Sequence, residues 1–314
     1  MKVLFTFEIT NDQKMRLENK FRDVTFQYNK KGDTTDVESV EILVTYSSEV
    51  DSSLLERAKK LKWIMTASAG VEKMPLLEIA ERNITLTNVR GIHKTPMAES
   101  VLAHILALRR SLPSIYSSKE SKEWSRPDDS TELMGSTALI LGPGSIGSEI
   151  GRLLQAFGVK TIGCNRSGRI SESMDKTIVF RDLMLELPKA DYVISVLPST
   201  PETRGLLTRE HFSAMKETAV FMNFGRGDLF NETFLINALK NNEIGQAVLD
   251  VFEVEPLPLE NELWTLENCV ISPHVSGLSS KYVERALIIF EKNLELWIES
   301  NVNLENLINL FDGY

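Results

Sequence analysis

The chain has 314 residues, of which 42% are hydrophobic and 25% charged, as is typical of a globular protein with one large or two medium domains. Its net charge of −9 argues against a non-specific nucleic-acid surface, and no apolar run is long enough to predict a membrane span or a signal peptide. Two cysteines cannot by themselves build a disulfide framework or a tetrahedral metal site. We therefore expect a cytoplasmic protein with no metal site and with no nucleic-acid or membrane partner.

The first third of the chain alternates apolar stretches of strand type with helical patterns. Such βα alternation predicts a parallel sheet flanked by helices. The predicted strands are Lys2–Phe7, Val24–Tyr28, Glu41–Tyr46, Trp63–Ser68 and Ile84–Val89, and the predicted helices are Asn11–Phe21, Ser52–Leu61 and Pro75–Arg82.

A helix that is apolar on almost every side is predicted at Lys94–Arg110. A helix of this kind is buried in a large core or between domains or subunits. We therefore interpret His104, which lies inside it, as a packed core histidine. The polar stretch Ser111–Glu132, which holds Trp124, is predicted to leave the core.

A second series of strands and helices begins at Ser136. A long amphipathic helix at Ser279–Glu299 follows this series, and with the first series it predicts an α/β protein. The predicted strands of the second series are Thr137–Leu141, Lys160–Cys164, Asp191–Leu197, Thr218–Phe224, Gln246–Phe252 and Cys269–Ser272.

A glycine-rich loop joins the first strand of the second series to the next helix. Gly142, Gly144 and Gly147 fit the pattern G-x-G-x-x-G, which is informative here because a strand precedes it and a helix follows it. The glycines let the backbone approach a pyrophosphate, and the helix N-terminus offers it N–H groups and a partial positive charge. The loop therefore predicts a dinucleotide site; the alternative is a turn that serves packing alone.

The end of the following strand carries the residues that would select the cofactor. Folds that bind NAD usually place an acidic side chain there for the ribose 2′-hydroxyl. Here Asn165 stands in that place and Arg166 follows it. Because an arginine can pair with a 2′-phosphate and no carboxylate opposes it, we expect NADP(H) to be preferred and NAD(H) to be the second choice. The alternative is that the arginines of this loop are solvated surface residues.

Three further motifs each begin where a predicted strand ends, the edge at which ligands bind in open α/β sheets. They are Asn223–Gly227, Asp250–Leu257 and Ser272–Gly277, and they carry Arg226, a carboxylate and His274. A guanidinium suits the carboxylate of a 2-keto acid. A histidine oriented by a carboxylate suits the delivery of a proton to the alkoxide that hydride transfer produces. The motifs therefore predict the reduction of a keto acid.

In these motifs the chain resembles the D-isomer-specific 2-hydroxyacid dehydrogenase family. The resemblance covers nearly the whole chain and includes Ser68–Val71, the helix with Ala98 and Glu99, and Val196–Thr203. At Asn165–Ser167 it is similar to the glyoxylate/hydroxypyruvate reductase branch, which uses NADPH. The resemblance thus implies a small D-2-hydroxy acid or 2-keto acid, such as glyoxylate or hydroxypyruvate, as the substrate.

The resemblance also implies the roles of the site residues. Arg226 would bind and polarise the substrate, His274 would be the general acid/base, and Glu255, the acid just before the proline, would be its partner. The backbone N–H groups around Ala69 and Gly70 would hold the substrate carboxylate, and Arg226 and His274 would also contact the substrate. The expected cofactor contacts are Gly142, Gly144, Ser145, Ile146, Gly147, Asn165, Arg166, Ser167, Leu197, Pro198, Thr203, Phe224, Gly225, Arg226, Asp250, His274 and Gly277. In this set Asp250 would contact the nicotinamide carboxamide, and Leu197, Pro198 and Thr203 would border the adenosine half.

The architecture that the resemblance implies has two lobes of parallel sheet flanked by helices, with the active site between them. A Rossmann-type cofactor domain would span 99–280. A flavodoxin-like substrate domain would consist of 1–98 and of 281–314, which holds the crossing helix and the return of the chain. Two copies would form a homodimer through the helix that starts near Thr95 and the arm that holds Trp124.

Two other functions stay open at this point. One is an NAD-dependent enzyme like D-3-phosphoglycerate dehydrogenase, against which the missing acid at Asn165 counts. The other is a non-catalytic, dinucleotide-sensing interaction protein of the same fold. Oxidation of NADPH with a panel of keto acids would separate the enzymes from the sensor.

Overall fold

The computed structural model describes residues 1–71, 73–127, 130–300 and 303–310. The chain divides into two compact units, unit 1 with Met1–Ile92 and Ser279–Tyr314 and unit 2 with His93–Leu278. The sequence predicts boundaries after residues 98 and 280, a few residues later than the observed divisions after Ile92 and Leu278. The first difference arises because Ala98 lies inside a continuous helix, which a boundary at that point would cut. The assignment of a substrate role and a cofactor role to the two parts stays a prediction.

Both units are built from short strands and intervening helices. The strands are β1 (Lys2–Phe5), β2 (Thr25–Tyr28), β3 (Ile42–Thr45), β4 (Trp63–Thr66), β5 (Thr85–Asn88), β6 (Thr137–Leu141), β7 (Lys160–Asn165), β8 (Lys176–Val179), β9 (Tyr192–Ser195), β10 (Val220–Asn223), β11 (Gln246–Leu249) and β12 (Cys269–Ile271). The α-helices are α1 (Asn11–Lys20), α2 (Ser52–Arg57), α3 (Leu76–Glu81), α4 (Lys94–Arg109), α5 (Leu112–Ser121), α6 (Ser145–Ala156), α7 (Leu183–Glu186), α8 (Arg209–Ser213), α9 (Glu232–Lys240) and α10 (Tyr282–Ile298).

In unit 1 the strands form a parallel sheet in the order β2-β1-β3-β4-β5. Successive side chains of a strand point to opposite faces, and both faces of this sheet are covered. On one face Phe5 and Trp63 pack with residues of α1 and α10, where the ring of Phe290 contacts both. On the other face Leu4 and Ile64 pack against α2 and α3. The near-continuous apolar runs of these strands follow from this double burial.

The described residues of the tail, 303–310, run beside the edge strand β5. Ile308 donates its backbone N–H to the carbonyl of Leu86 over 2.9 Å, and Thr87 and Leu307 form an antiparallel bridge. The side chains of Leu304 and Ile308 are buried in the core of unit 1. The tail therefore protects the edge of the sheet that β5 would otherwise expose.

In unit 2 the parallel strands follow the order β12-β11-β10-β9-β6-β7-β8. Helices α4 and α6 contribute Val101 and Ile150 to the cluster on one face, while α8 and α9 contribute Phe212 and Leu235 to the other. From β6 the chain first adds β7 and β8 on one side, and then returns to add β9 to β12 on the other side, so the strand order reverses between β6 and β9. Open sheets of this kind bind ligands at the carboxyl ends of the strands beside such a reversal.

Two elements of unit 2 were not predicted from the sequence. Helix α5 lies in the stretch that we expected to leave the core, and none of its residues is buried, so no apolar stripe marks it. Strand β8 is an edge strand in which Ile178 is the one buried residue, and its alternation is too weak to recognise.

The α/β architecture with two parallel sheets flanked by helices is confirmed. Within the described ranges, no helix combines the length and the apolar character needed to cross a membrane.

Candidate active site

The glycine loop connects β6 to α6 beside the reversal of the sheet. Gly142 has a φ of +93°, a left-handed conformation that favours glycine, and its N–H is bonded to the carbonyl of Cys164. A Cβ on Gly147 would lie 2.3 Å from the carbonyl oxygen of Gly142, so the first turn of α6 packs against the loop without room for a side chain. Both glycines are thus required by the protein's own packing.

Gly144 differs from these two glycines because a Cβ built on it meets nothing within 4 Å. It is the N-cap of α6 and, as a glycine, has no side chain to cap this helix end. Ser145 is exposed and Ile146 half-buried in the first turn of the helix. The first N–H groups of α6 and the open space beside Gly144 together fit the pyrophosphate of a dinucleotide.

The loop after β7 is organised by the amide of Asn165. Its Oδ1 accepts a hydrogen bond from the Gly168 N–H at 2.6 Å, and its Nδ2 donates to the Arg169 carbonyl at 2.8 Å. Arg166 is 66% exposed and its Nη1 lies 3.2 Å from Oε1 of Glu202. The loop therefore presents a guanidinium at the end of β7, already in contact with one carboxylate, while Ser167 is exposed next to it.

The loop after β9 lies against the glycine loop. A Cβ on Gly142 would approach the side chain of Leu197 at 3.2 Å, which places Leu197 beside the dinucleotide loop. Thr203 is 6% exposed, and its hydroxyl donates to the carbonyl of Pro198 at 2.6 Å and accepts from the N–H of Thr200 at 2.8 Å. Thr203 closes its own loop, whereas Pro198 is exposed.

His274 and Glu255 form the central pair of the candidate site. Nδ1 of His274 lies 2.8 Å from Oε2 of Glu255, and the two side chains are 51% and 36% exposed. The second oxygen of Glu255 accepts from the N–H of Phe252 at 3.1 Å. Glu253, a second glutamate of the motif Asp250–Leu257, accepts instead from the N–H of Glu232 at the start of α9. The geometry thus couples Glu255, and not Glu253, to Nδ1 of the imidazole.

The turn that carries His274 is anchored to a buried carboxylate. Asp250 is fully buried, and it accepts hydrogen bonds from the Ser272 hydroxyl, the Val275 N–H and both the N–H and the hydroxyl of Ser276. His274 itself has a φ of +53°, which is uncommon for a residue other than glycine. These four bonds offset the strain of that turn. The contact of Asp250 with a nicotinamide stays a prediction.

Arg226 lies in the turn after β10. The turn is held by Asn223, which is fully buried, donates to the Arg226 carbonyl at 2.9 Å and accepts from the Gly225 N–H at 3.1 Å. Nη1 of Arg226 donates to the Gly225 carbonyl at 2.8 Å, and its side chain is half-buried. Phe224 is buried, and a Cβ on Gly225 would lie 2.4 Å from the carbonyl oxygen of Leu197, so this turn packs against the loop after β9.

Ala69 and Gly70 lie in unit 1, in the turn Ser68–Val71 after β4. We call this turn the substrate loop after its expected role, which stays a prediction. Ala69 is exposed and its carbonyl oxygen accepts from Nδ2 of Asn88 at 2.7 Å. Asn88 is 4% exposed and lies at the carboxyl end of the neighbouring strand β5. The substrate loop is thus fixed through the Ala69 carbonyl and through the Ser68 N–H, which donates to Oγ1 of Thr66 at 3.2 Å.

Two other histidines of unit 2, His104 and His93, are packed against neighbouring residues. His104 is half-buried with its ring 6.0 Å from that of Phe224, and burial lowers its pKa. Gly277 packs against His93, since a Cβ there would lie 2.9 Å from the imidazole. In the part of the chain that the structure describes, no group of three or more His, Cys, Asp or Glu side chains is arranged to hold a metal ion.

The sequence did not reveal the residues that hold these turns in place. Ser272 and Ser276 lie within the motif around His274, and their spacing from Asp250 gives no sign that they bind it. Asn88 ends a strand with no motif of its own. An asparagine at the end of a strand that is expected to be buried is the one signal that could have identified it, because such a side chain must find partners.

Comparison with known proteins identifies the family. Residues 102–276 match the model of the D-isomer specific 2-hydroxyacid dehydrogenase, NAD binding domain. The chain is 33% identical over 259 residues to the glyoxylate reductase/hydroxypyruvate reductase of Mus musculus, an alignment that covers 81% of this chain and 79% of that protein. It is 32% identical over 279 residues to the D-3-phosphoglycerate dehydrogenase of Methanocaldococcus jannaschii, which covers 87% of this chain. The chain spans about half of that relative, 52% of its length.

Solved structures agree with this result. A D-isomer specific 2-hydroxyacid dehydrogenase family protein from Aeromonas salmonicida has a TM-score of 0.87 and 33% identity, and covers 98% of this chain and 99% of that one. The NADPH-dependent glyoxylate/hydroxypyruvate reductase SmGhrA from Sinorhizobium meliloti, in complex with NADP and sulfate, has a TM-score of 0.82 and 26% identity over 100% of this chain and 99% of that one. The chain belongs to the D-isomer-specific 2-hydroxyacid dehydrogenase family of NAD(P)-dependent oxidoreductases.

Proposed function

We propose that this protein reduces a small 2-keto acid, such as glyoxylate or hydroxypyruvate, to the D-2-hydroxy acid with NADPH. The observation that carries the proposal is the pair of His274 and Glu255, 2.8 Å apart, in the same unit as the glycine loop. A dinucleotide loop alone would suit a sensor equally well. An exposed imidazole oriented by a carboxylate is what a proton-transfer step requires.

In the proposed reaction the protein binds the keto acid and supplies a proton. The N–H groups of Ala69 and Gly70 and the guanidinium of Arg226 hold the substrate carboxylate and polarise the carbonyl. Glu255 orients the ring of His274 through its contact with Nδ1. His274 then gives the Nε2 proton to the carbonyl oxygen as that oxygen becomes an alcohol.

The residues present fit a nicotinamide dinucleotide, as the open space beside Gly144 indicates. Gly144, Ser145 and Ile146 would hold the pyrophosphate, and Asn165, Arg166 and Ser167 the phosphorylated ribose. When bound in reduced form, the cofactor supplies the hydride.

The proposal is tested by following NADPH oxidation with glyoxylate, hydroxypyruvate, pyruvate and 3-phosphohydroxypyruvate. We expect the highest kcat/KM with one of the small keto acids that carry no phosphate. A higher value with 3-phosphohydroxypyruvate would instead support the alternative activity, which is the one that the name of the Methanocaldococcus relative suggests. NADPH binding without turnover of any acid would support the sensor function and refute the proposal.

We expect a higher kcat/KM with NADPH than with NADH. Arg166 would make a charge-assisted contact with the 2′-phosphate, which is worth about 10- to 150-fold in affinity. Exchange of the loop residues in the double variant Asn165→Asp/Arg166→Ala should shift the preference toward NADH. Glu202→Gln, which removes the carboxylate that contacts Arg166, should shift it further toward NADPH. Equal or better use of NADH by the unmodified protein would contradict this prediction.

Gly144→Ala should weaken cofactor binding without a loss of stability. The added methyl group meets no protein atom, but it occupies the space in which the pyrophosphate would approach the backbone. We expect the Kd for NADPH, measured by fluorescence titration, to rise at least tenfold while Tm stays within a degree or two. Gly147→Ala is the contrasting variant, since its methyl group collides with the Gly142 carbonyl and should lower Tm as well. An unchanged Kd in Gly144→Ala would place the pyrophosphate elsewhere.

We also expect a homodimer in solution. Of the residues in α4, Ala98, Val101 and Ile105 are buried within the chain, which leaves apolar side chains of this helix partly exposed. Tyr116 on α5 is 63% exposed and Trp124 is 97% exposed. Sedimentation should give twice the chain mass of 35.4 kDa at micromolar concentration. Replacement of both aromatic residues by glutamate should weaken the dimer, and a monomeric unmodified protein would refute the prediction.

A further inference from the structure

The tail of unit 1 is joined to the substrate loop through a short series of hydrogen bonds. The first bond is the one between Nδ2 of Asn88 and the Ala69 carbonyl, 2.7 Å. It fixes the plane of the peptide that links Ala69 to Gly70, and hence the direction of the Gly70 N–H. The orientation of Asn88 therefore sets the orientation of a group to which the proposed function gives the substrate carboxylate.

Asn88 is in turn held by Asn306. The backbone N–H of Asn88 donates to the Asn306 carbonyl at 3.2 Å, and Nδ2 of Asn306 donates to the carbonyls of Asn88 at 3.3 Å and Arg90 at 2.9 Å. The Arg90 N–H donates to Oδ1 of Asn88 at 3.0 Å, which orients the amide toward Ala69. One side chain of the tail thus closes the turn after β5 by donating to two of its carbonyls.

The tail itself is held to the long helix of unit 1. Asn293 on α10 is fully buried, and its amide makes two bonds to the backbone of Glu305, 2.9 Å from Nδ2 to the carbonyl and 2.7 Å from the N–H to Oδ1. Lys292 adds an ion pair with Glu305. Asn306 follows directly and has a φ of +57°, so the chain turns sharply there to place the amide over β5. The tail is thus bonded to α10 at Glu305 and to the turn after β5 at Asn306, so Asn306 has a fixed place in unit 1.

We propose that Asn306 is a positioning residue for the substrate loop, and that the tail segment 303–308 acts through it on binding of the keto-acid carboxylate. This inference rests on the proposed function, because the carboxylate is assigned to the N–H groups of Ala69 and Gly70. The bonds of Asn306 lie within unit 1 and reach the substrate loop through Asn88, whereas the proposed function assigns the dinucleotide to residues of unit 2. We therefore expect loss of the Asn306 amide to affect binding of the substrate more than binding of the dinucleotide.

The test uses Asn306→Gly, which removes the amide but tolerates a positive φ, so the turn itself is not strained. We expect KM for the best keto acid, and the inhibition constant of the carboxylate analogue oxamate, to rise about 5- to 10-fold, the size of one lost hydrogen bond. The Kd for NADPH should stay within twofold. Asn306→Asp keeps the size of the side chain and also tolerates a positive φ, but it removes the Nδ2 donor. It should therefore also raise KM and the inhibition constant of oxamate.

The matched control is Asn83→Gly. Asn83 also has a positive φ, +54°, and lies before the opposite end of β5, so this variant loses an asparagine side chain in the same unit without touching the substrate loop. It should leave KM and the oxamate constant unchanged. Normal KM values in both Asn306 variants would overturn the inference while the proposed function stands. Absence of keto-acid reduction by the unmodified protein would instead refute the proposed function itself.

Discussion

His274→Ala is expected to lower kcat for keto-acid reduction by about 10²- to 10⁴-fold, the usual contribution of a well-placed acid–base group. The imidazole pairs with Glu255 at 2.8 Å and is half exposed, so it is oriented and also accessible to a substrate. Without it, the developing alkoxide must take its proton from water. The Kd for NADPH should stay unchanged, because the glycine loop is not altered.

Two comparison variants make this experiment specific. Glu255→Gln keeps the shape of the partner but removes its charge, and should give a smaller loss in kcat than the removal of the ring. His211→Ala removes an imidazole from α8 that caps its own helix, and should leave kcat unchanged. A near-normal rate in His274→Ala would mean that another group, such as Glu255 or an ordered water, supplies the proton.

Arg226→Lys should raise KM and lower kcat together, and kcat/KM should fall by about 10- to 150-fold. The lysine keeps the positive charge but loses the planar fork that binds a carboxylate through two N–H groups. Because the carboxylate is bound both before and during hydride transfer, the loss should affect both constants. Steady-state kinetics with the best keto acid measure both.

Arg181→Lys is a suitable control for this change. Arg181 is in the same unit, is 87% exposed and lies 3.9 Å from Asp182, so its exchange should leave the kinetics as they are. If Arg226→Lys raised KM and left kcat unchanged, Arg226 would bind the substrate without polarising it. If neither constant changed, the carboxylate would have to be assigned to other donors.

The elements with strong apolar patterns could be predicted from the sequence, and those without could not. Strand β6 was predicted at its observed bounds because each of its residues after Thr137 is buried. Helix α5 and strand β8 were missed because their burial is too slight to produce a period. Hydrophobic periodicity reports burial, so exposed elements at the edge of a fold leave little trace in it.

The candidate site shows the same division. Motifs at strand ends predict Arg226, Glu255 and His274 as site residues, because each carries an unusual side chain for its place. The residues that fix their turns, such as Asn223 and Ser276, were not identified as such, since a small polar residue in a loop is common. These residues hold the turns through hydrogen bonds to partners that tertiary packing brings near them. A sequence motif does not show which partners those are.

Unit 1 is interrupted in the chain, and this has a consequence for the order of folding during synthesis. A ribosome completes all five strands of that sheet, and then the whole of unit 2, before it makes α10. Until then the face with Phe5 and Trp63 lacks the ring of Phe290 and remains open to water or to another chain. The inserted unit has its sequence complete before the unit that surrounds it, so it is the first that can close its core. We expect chaperones to meet an intermediate in which unit 2 is folded and the unit 1 sheet still lacks the cover of α10.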